Sequence, residues 1–408
     1  MSEKHSFSRR DFLKTAGAAG AASVLNPFGS VVMAEEKSTQ NVNVSTRPFG
    51  KTGVNVSVLS LGTMFDTGSN QLLLRQAIQK GVTYWDTADC YENGKSEEGI
   101  GKYFGKYPED RKKVFLVSKS CDYTPDGMSK LLQRSFERMK TDYVDLYFLH
   151  GISSVKDIYE GTKEWAEKAK KDKKIRFFGF STHKNMEDCL LDAAKLGWID
   201  GIMMTYNYRV MDSDKMKQAV EACQKAGIGL TAMKTQGKSP GLDLLKSDTD
   251  TQKQLMERLL KKGFTEHQAK LKAVWENNSY ISSICSQMPN MTILMANTAA
   301  ALDKTKLSSA DMGLLKAYAK ETTSDYCTGC SHLCESGLDC PVPVSDVMRY
   351  LMYSRAYGDH RLAVSQFREI APEIREQMAS LNYSVIEQRC PRKMAIGQLM
   401  KEAVVELA

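Results

Sequence analysis

Four ionisable residues in the first half of the sequence could together catalyse the interconversion of a carbonyl and an alcohol. The run Asp-Thr-Ala-Asp-Cys-Tyr begins at Asp86 and ends at Tyr91. Lys119 lies further along the chain, and His150 is the last residue of the run Asp-Leu-Tyr-Phe-Leu-His. Hydride transfer to a carbonyl places negative charge on its oxygen, so a proton donor must lie within hydrogen-bond reach of that oxygen. We predict that Tyr91 is this donor and that His150 polarises the carbonyl from the other side.

The pKa of Tyr91 decides how readily this residue could act as an acid. A free tyrosine has a pKa of about 10. A nearby ammonium group favours the phenolate, so Lys119 is predicted to lower the pKa of Tyr91, and Asp86 is predicted to keep Lys119 charged and oriented. Each residue taken singly also has a structural interpretation, with Asp86 as a helix N-cap, Tyr91 as a packing residue and His150 as a strand-end histidine.

The elements that must position these residues form a repeating pattern between residues 54 and 301. Short runs of β-branched and aromatic residues alternate there with longer amphipathic segments, which indicates repeated βα units. Strands are predicted at 56–61, 82–86, 114–119, 144–150, 175–181, 201–206, 229–234 and 281–287. Eight parallel strands favour a closed TIM barrel, with a doubly wound sheet as the rival topology. The four residues follow strand ends, so barrel closure would bring them to one mouth.

Helices are predicted between the strands and beyond them. The predicted ranges are 72–80, 128–139, 155–170, 186–196, 214–226, 252–262 and 267–275, with Gly81, Gly197 and Gly227 as C-terminal caps. After residue 306 the strand-like runs cease, and a helix ending near Thr322 precedes a loop rich in Cys, Gly and Pro and then further helices. The sequence therefore predicts an α/β barrel over 45–305 and a small all-helical module over 306–408.

The motifs and their order resemble the aldo/keto reductase superfamily. The likeness lies in the Asp-Thr-Ala-x-x-Tyr run, the lysine of the third strand and the Asp-x-x-x-x-His run, and it covers roughly residues 47–301. It begins with a hairpin, Arg-Pro-Phe-Gly-Lys-Thr-Gly, that is typical of the bacterial branch. The resemblance implies a TIM barrel, the catalytic tetrad of Asp86, Tyr91, Lys119 and His150, a small carbonyl or alcohol substrate, and a nicotinamide cofactor.

The resemblance also implies which residues contact that cofactor. These are Ser181, Thr182, Met203, Met233 and Lys234. Ser181 keeps the family pattern, whereas Thr182 replaces an asparagine, Met203 a glutamine and Met233 an aromatic residue. The segment 285–290 is uncharged and lacks the basic motif with which the family binds the adenosine 2′-phosphate. NAD(P)H is therefore implied without a choice between NAD and NADP.

A dense group of cysteines lies in the C-terminal module. Cys327, Cys330, Cys334 and Cys340 form the pattern Cys-x2-Cys-x3-Cys-x5-Cys-Pro. The spacing is similar to ferredoxin-type [4Fe–4S] ligation, although two gaps are longer, and Cys390 is an alternative fourth ligand. A branch of the aldo/keto reductases carries such a ferredoxin-like extension, often with a helix like the one predicted at 344–357.

Two other interpretations of these cysteines stay open. A structural zinc site made of four thiolates tolerates the spacing, and His332 could replace one of them. Disulfides suit an exported protein in general. The cysteines scattered through the barrel are interpreted as small buried hydrophobic residues, and they are Cys90, Cys121, Cys189, Cys223 and Cys285.

The N-terminus is predicted to be an export signal. Residues 8–14, Ser-Arg-Arg-Asp-Phe-Leu-Lys, precede an Ala/Gly-rich stretch and resemble a twin-arginine signal, with cleavage after Ala34 that removes residues 1–34. The resemblance implies that the twin-arginine translocase carries the folded, cofactor-loaded protein to the periplasm. The net charge of +7 is too small to indicate nucleic-acid binding. No apolar run reaches the roughly 18 residues of a membrane span.

Two functions follow from the sequence as alternatives. The first is an exported, nicotinamide-dependent oxidoreductase of the aldo/keto reductase type, with an iron–sulfur module for electron supply and a redox partner protein as a further expectation. The second is an exported iron–sulfur protein for electron transfer or partner binding, whose barrel no longer turns over. The changes at Met203 and Met233 favour the second function, and the intact tetrad favours the first.

Overall fold

The computed structural model describes residues 43–238 and 250–408. Eight parallel strands close into a barrel, which confirms the barrel and excludes the doubly wound sheet. In chain order the barrel strands are β3 (Leu59–Gly62), β4 (Tyr84–Asp86), β5 (Phe115–Ser120), β6 (Val144–Leu149), β7 (Ile175–Thr182), β8 (Gly201–Thr205), β9 (Gly229–Met233) and β10 (Ile281–Gln287). Strand β10 pairs with both β9 and β3, so the sheet has no free edge.

An antiparallel hairpin precedes the barrel and closes its N-terminal end. It consists of β1 (Thr46–Pro48) and β2 (Asn55–Ser57). The prediction of a single strand over 56–61 is wrong, because this range contains the end of β2 and most of β3. The ring of Phe49 is fully buried, and a Cβ atom at Gly201 or Gly229 would lie only 2.6–2.8 Å from it. Glycine at the start of β8 and β9 therefore makes room for this aromatic plug.

The barrel helices surround the strands close to the predicted positions. They are α1 (Gln71–Gln79), α2 (Lys95–Lys106), α3 (Pro125–Met139), α4 (Thr162–Lys171), α5 (Met186–Leu196), α6 (Asp214–Ala226), α7 (Asp250–Lys261), α8 (Glu266–Asn277) and α9 (Met291–Leu302). Gly81, Gly197 and Gly227 have φ angles of 76°, 77° and 73°, the left-handed conformation predicted for the caps. The helix predicted at 155–170 is partly wrong, because a short 3-10 turn precedes Gly161, whose φ is 81°, and α4 begins only after it.

The C-terminal part contains helices and short turns and no strand from residue 306 to the end, all of which the structure describes. Its helices are α10 (Ser309–Glu321), α11 (Ser331–Cys334), α12 (Val344–Tyr357), α13 (His360–Arg368), α14 (Pro372–Met378), α15 (Ser384–Arg389) and α16 (Ile396–Leu407). Helix α12 matches the predicted range 344–357. Its buried face forms a hydrophobic core of its own with α13 to α16, through side chains such as Leu351, Phe367 and Met400.

The predicted signal segment and its cleavage after Ala34 lie outside the described residues, as does Pro240 in the long segment before β10. Within the described part of the chain, every helix is too short or too polar to pass through a lipid bilayer.

Candidate active site

The four predicted catalytic residues meet at the C-terminal ends of three neighbouring strands. Asp86 is the last residue of β4, Lys119 lies in β5, and His150 directly follows β6. Tyr91 begins a short 3-10 turn after β4, in which the next two residues have left-handed φ angles of 50° and 55°. These strands are hydrogen-bonded side by side, so the loops that follow them converge at one mouth of the barrel.

Lys119 is the centre of this group. Its Nζ lies 2.8 Å from both carboxylate oxygens of Asp86 and donates hydrogen bonds to the carbonyl oxygen of Thr87 at 2.7 Å and to the hydroxyl of Tyr91 at 3.0 Å. The side chains of Lys119 and Asp86 are only 1% and 3% exposed. A buried charge pair is tolerated when its remaining hydrogen-bonding capacity is used, and Lys119 uses all three of its donors. The ammonium is thus fixed against the phenol oxygen.

The pKa of Tyr91 does not shift in the predicted direction. Burial, and after it the negative charge of Asp86, raise the pKa of Tyr91 well above its ordinary value. The prediction that Lys119 lowers this pKa is wrong for this structure. The reason is that the Asp86 carboxylate offsets the charge of Lys119, which leaves desolvation of the phenolate as the larger effect. Tyr91 is therefore a neutral phenol that can donate its proton.

His150 faces two cysteines as well as the tyrosine. Its ring lies edge-on to that of Tyr91, with centroids 5.6 Å apart, and the hydroxyl of Tyr123 donates to its backbone carbonyl at 2.7 Å. Its Nδ1 lies 3.5 Å from the Sγ of Cys90 and 3.3 Å from the Sγ of Cys121. Tyr123 therefore fixes the backbone of His150, while the ring contacts Tyr91 on one side and has two thiols directed at its Nδ1.

Cys90 and Cys121 are exposed, so their interpretation as buried hydrophobic residues is wrong, whereas Cys189 and Cys223 are buried as predicted. The two exposed sulfurs are 2.9 Å apart. The hydrogen bond from Cys121 lowers the pKa of the Cys90 thiol to about 5 against the opposing effect of burial, and His150 adds to the lowering. That same hydrogen bond, followed by burial, raises the pKa of Cys121. Sequence reasoning missed this pair, although each cysteine stands within two residues of a tetrad member.

The residues predicted to contact a cofactor lie at the ends of β7 and β9 and in the middle of β8. The Oγ of Ser181 accepts a hydrogen bond from the amide of Gly151 at 3.0 Å, and Thr182 donates its hydroxyl to the carbonyl of Lys184 at 2.7 Å. Met203 is 2% exposed and packs into the barrel interior, where Met233 contacts the same core. The hydroxyl of Thr182 and the side chain of Met203 thus already have contact partners within the protein.

Lys234, the fifth of these residues, contacts the C-terminal module. Its Nζ donates a hydrogen bond to the hydroxyl of Tyr353 in α12 at 2.9 Å and lies 4.6 Å from the centre of that ring. Burial lowers the pKa of Lys234. Four residues further on, Lys238 donates to the carbonyl of Ala356 at 2.6 Å. Helix α12 is therefore attached to the segment that follows β9.

The cysteine loop of the module approaches the mouth beside β7. The amide of Asn185 donates to the carbonyl of Gly329 at 2.8 Å, and its side chain donates to the hydroxyl of Ser331 at 3.0 Å. Gly329 has a φ of 76°, and a Cβ atom there would lie 2.2 Å from the carbonyl oxygen of His183. Glycine is therefore needed between Cys327 and Cys330 for the loop to dock.

A third contact links the module to the loop that carries Tyr91. Arg361 of α13 lies 2.6 Å from the carboxylate of Glu92, one of the two residues with a left-handed backbone in that loop. This pair is exposed on the arginine side, so it adds little stability by itself. Together with the contacts at Asn185 and Lys234, it shows that the module covers the barrel at the mouth where the tetrad lies.

Comparison with known proteins agrees with the barrel and its motifs. Residues 58–305 match the aldo/keto reductase family, and residues 6–25 match the signal sequence of the twin-arginine translocation pathway. The chain belongs to the aldo/keto reductase family. It is thus an oxidoreductase by family, and the predicted resemblance to the aldo/keto reductases and the predicted twin-arginine signal are both confirmed.

Individual relatives agree with this assignment over part of their length. The chain is 31% identical over 176 residues to the uncharacterised oxidoreductase YqkF of Bacillus subtilis, covering 40% of this chain and 56% of that protein. It is 27% identical over 209 residues to the aldo-keto reductase yakc [NADP(+)] of Schizosaccharomyces pombe, covering 46% and 59%. The chain therefore spans less than two thirds of these relatives.

Solved structures match over nearly their whole length. A thermostable aldo-keto reductase, Tm1743, solved with the inhibitor epalrestat, is 26% identical, with a TM-score of 0.55, and the match covers 67% of this chain and 99% of that one. The holo form of AKR11C1 from Bacillus halodurans gives the same TM-score at 21% identity, which shows the fold alone.

Proposed function

We propose that this aldo/keto reductase interconverts a small carbonyl compound and its alcohol with a nicotinamide cofactor, and that Tyr91 is its general acid and base. The observation that carries the proposal is the unbroken chain of contacts from Asp86 through Lys119 to the hydroxyl of Tyr91. In the direction of reduction, Tyr91 donates its proton to the oxygen that gains charge. Lys119, held by Asp86, stabilises the phenolate that remains.

His150 is proposed to orient the carbonyl on the opposite side of the site. Its ring stands edge-on to the phenol of Tyr91, so a substrate oxygen between the two rings would receive hydrogen bonds from both. The cofactor contacts are proposed at Ser181, Thr182, Met203, Met233 and Lys234. The bound nicotinamide would supply or accept the hydride, and the uncharged segment 285–290 favours neither NAD nor NADP.

The pH dependence of the reaction follows from the raised pKa of Tyr91. Carbonyl reduction is expected to keep its full rate up to about pH 10, because the phenol loses its proton only above the ordinary tyrosine pKa. The thiol of Cys90 ionises far below this range, near pH 5, so it does not obscure the result. The measurement is kcat/KM against pH, with far-UV circular dichroism to verify the fold at each pH. Because burial also lowers the pKa of Lys234, the same profile is measured for Lys234→Met. A fall in rate centred below about pH 9 in both proteins would show instead that Lys119 lowers the pKa of Tyr91.

The C-terminal module is proposed to hold a [4Fe–4S] cluster that supplies or removes electrons at the barrel mouth. Cys327 lines a cavity between module and barrel, together with His183 and Lys234 from the strand ends. The thiols suit an iron–sulfur cluster chemically, because Cys327, Cys334 and Cys340 lie half-buried against the apolar core of the module. A cluster so close to the mouth would be near the proposed nicotinamide site.

A single zinc ion is the alternative to the cluster. Four thiolates on one zinc ion are roughly 3.8 Å apart, given a zinc–sulfur bond of about 2.3 Å. Within the described residues, the thiols of the module do not form a group of three ligand atoms within 4.8 Å of one another. Iron and sulfide content, rather than this geometry, distinguishes the two occupants.

The fourth ligand is proposed to be Cys340, with Cys390 as the alternative. Cys340 is followed by Pro341, as the last cysteine of the ferredoxin-type pattern is followed by a proline. Cys390 is buried in the core of the module, against which Cys327, Cys334 and Cys340 also pack.

Metal analysis of anaerobically purified protein tests the cluster and its ligands. We expect about four iron and four acid-labile sulfide per chain, and loss of most of both in Cys334→Ser. Cys189→Ser, which removes a buried barrel thiol, is the matched control and should keep the iron. Comparison of Cys340→Ser with Cys390→Ser identifies the fourth ligand. Zinc without sulfide in the purified protein would contradict the cluster.

A second function, electron transfer without turnover in the barrel, is supported by two observations. Lys234, proposed to contact the cofactor, already donates to Tyr353 of the module, and Met203 is packed in the core. If Lys234 and Met203 keep these contacts, they are not available to a cofactor, and the barrel serves only as a support for the cluster. Protein with iron and sulfide but without carbonyl reduction with either NADH or NADPH would favour this function.

The place of action is proposed to be the periplasm, after export by the twin-arginine route that the signal supports. A nicotinamide cofactor is scarce outside the cytoplasm, so we propose that it would be exported tightly bound, and that the cysteines of the module would hold the group that supplies or removes electrons. A redox partner protein would then exchange electrons with the module. The cofactor that co-purifies with the periplasmic protein, identified by mass spectrometry, tests this proposal, and free exchange of NAD(P)H would contradict it.

A further inference from the structure

Three ligand atoms converge at the barrel mouth outside the cysteine module. The Sγ atoms of Cys90 and Cys121 and the Nδ1 of His150 form a triangle with sides of 2.9, 3.3 and 3.5 Å. The three residues follow β4, β5 and β6, so adjacent rigid strands hold them. Both cysteines are exposed, which gives an ion access from solvent.

We propose that Cys90, Cys121 and His150 form a binding site for a transition-metal ion of the zinc class, beside Tyr91. Two thiolates and an imidazole are the donor set that zinc prefers, with bonds of about 2.3 Å to sulfur and about 2.0–2.1 Å to nitrogen. These bond lengths place tetrahedral ligand atoms roughly 3.5–3.8 Å apart. The two sulfur–nitrogen distances are near this range, and the sulfurs reach it by a small outward rotation of either exposed side chain.

The neighbouring carboxylate adds a second observation. Asp89 is 4% exposed, and its Oδ2 lies 2.6 Å from Arg134, whereas its Oδ1 has no hydrogen-bond partner within the part of the chain described. Asp89 directly precedes Cys90 in the chain, so this carboxylate lies beside the pair. A buried acceptor without a partner is costly, and a bound cation nearby would offset that cost.

A disulfide between the two cysteines is the rival explanation of their closeness. It would account for the sulfur–sulfur distance but not for the position of His150, whose Nδ1 is directed at both sulfurs. An ion uses all three groups at once, and three protein ligands leave a fourth position open, as in catalytic zinc sites. The three-way convergence therefore favours the ion.

A bound ion would fix which ring nitrogen of His150 carries the hydrogen, and the use of that hydrogen rests on the proposed carbonyl chemistry. An ion bound at Nδ1 leaves the ring hydrogen on Nε2, since a neutral imidazole carries only one. Nε2 then becomes a fixed hydrogen-bond donor, which is what orientation of a carbonyl oxygen requires. His150 would serve as ligand through one nitrogen and as a positioning group through the other.

Zinc content after loading with Zn²⁺ and removal of excess metal tests the site. The double variant Cys90→Ser/Cys121→Ser is expected to hold about one zinc ion fewer per chain than the wild-type protein. The control Cys189→Ser/Cys223→Ser removes two buried barrel thiols and should hold as much zinc as the wild type. Loading with Co²⁺ should give thiolate-to-cobalt absorption. Cys90→Ser/Cys121→Ser should lose the share of this absorption that comes from the barrel mouth, and the control variant should keep it. Because the module is unchanged in both variants, its own metal cancels in the comparison.

A second measurement needs no variant. Zn²⁺ should protect Cys90 and Cys121 from alkylation by iodoacetamide, as measured by mass spectrometry of the peptides. Equal zinc in both double variants, absence of protection, or a metal-free Cys90–Cys121 disulfide in the purified protein would each overturn the proposal. Tyr91→Phe should lose carbonyl reduction but keep the zinc, so failure of the metal site and failure of the proposed reaction are distinguishable.

Discussion

Tyr91→Phe is expected to lower kcat/KM for carbonyl reduction by about 10²- to 10⁴-fold, the usual contribution of a positioned general acid. The substitution removes only the hydroxyl, which is the atom that Lys119 approaches at 3.0 Å. The ring keeps its edge-on contact with His150, so the packing of the mouth is retained. Because the lost interaction forms as charge develops on the substrate oxygen, the decrease should appear mainly in kcat.

A matched control for this prediction is Tyr159→Phe. Tyr159 is 55% exposed, so its hydroxyl can be removed without loss of packing, and carbonyl reduction should stay at the wild-type rate. Both variants should give the far-UV circular dichroism and iron content of the wild type. A decrease of less than about fivefold in Tyr91→Phe would refute the tetrad mechanism and leave electron transfer through the module as the better function.

The elements of the barrel could be predicted from the sequence because each is determined locally. Alternation of apolar runs and amphipathic segments locates the strands, and glycine marks the helix ends, as at Gly197 and Gly227. The break at Gly161 was missed because the residues before and after it share a helical pattern, so periodicity alone joins them. The boundary between β2 and β3 was missed for a similar reason, since apolar residues continue through both strands.

The convergence of the tetrad could also be predicted, because parallel strands end at the same mouth. The direction of the pKa shift of Tyr91 could not. It depends on how deeply the phenol is buried and on Asp86 offsetting Lys119, and both are results of three-dimensional packing. The same holds for Cys90 and Cys121, whose closeness depends on side-chain direction after two different strands. A cysteine within two residues of a tetrad position is a sequence signal that could have indicated them.

The position of the C-terminal module was beyond the reach of sequence patterns. Its cysteine spacing indicates a metal or cluster site, but the docking of that loop against the barrel depends on Gly329 and Asn185, which have no motif of their own. Contacts at Asn185, Lys234 and Glu92 bring the module over the loops that carry the tetrad. The module therefore borders the space available to a substrate, and substrate choice would depend on both parts of the chain.

Lys119→Met is expected to lower the free energy of unfolding by about 3–5 kcal/mol, besides impairing carbonyl reduction. The buried ammonium is the hydrogen-bond donor to Asp86 and to the carbonyl of Thr87. Methionine fills a similar volume but leaves the Asp86 carboxylate buried without a compensating charge, which is the costly half of a broken pair. Urea unfolding of the full chain, followed by tryptophan fluorescence, measures the change.

The double variant Asp86→Asn/Lys119→Met shows whether the lost stability comes from the charge left behind. Since neither remaining side chain is charged, the double variant should be more stable than Lys119→Met alone. Both variants lack the ammonium proposed to stabilise the phenolate and should be equally poor in reduction. Lys168→Met is the exposed control, because its partner Asp172 lies one helical turn away at the surface, and it should unfold like the wild type. If Lys119→Met were as stable as this control, the ion pair would be screened by solvent. Its ammonium would then be too weakly held to stabilise the phenolate of Tyr91, and the proposed role of Asp86 would fail with it.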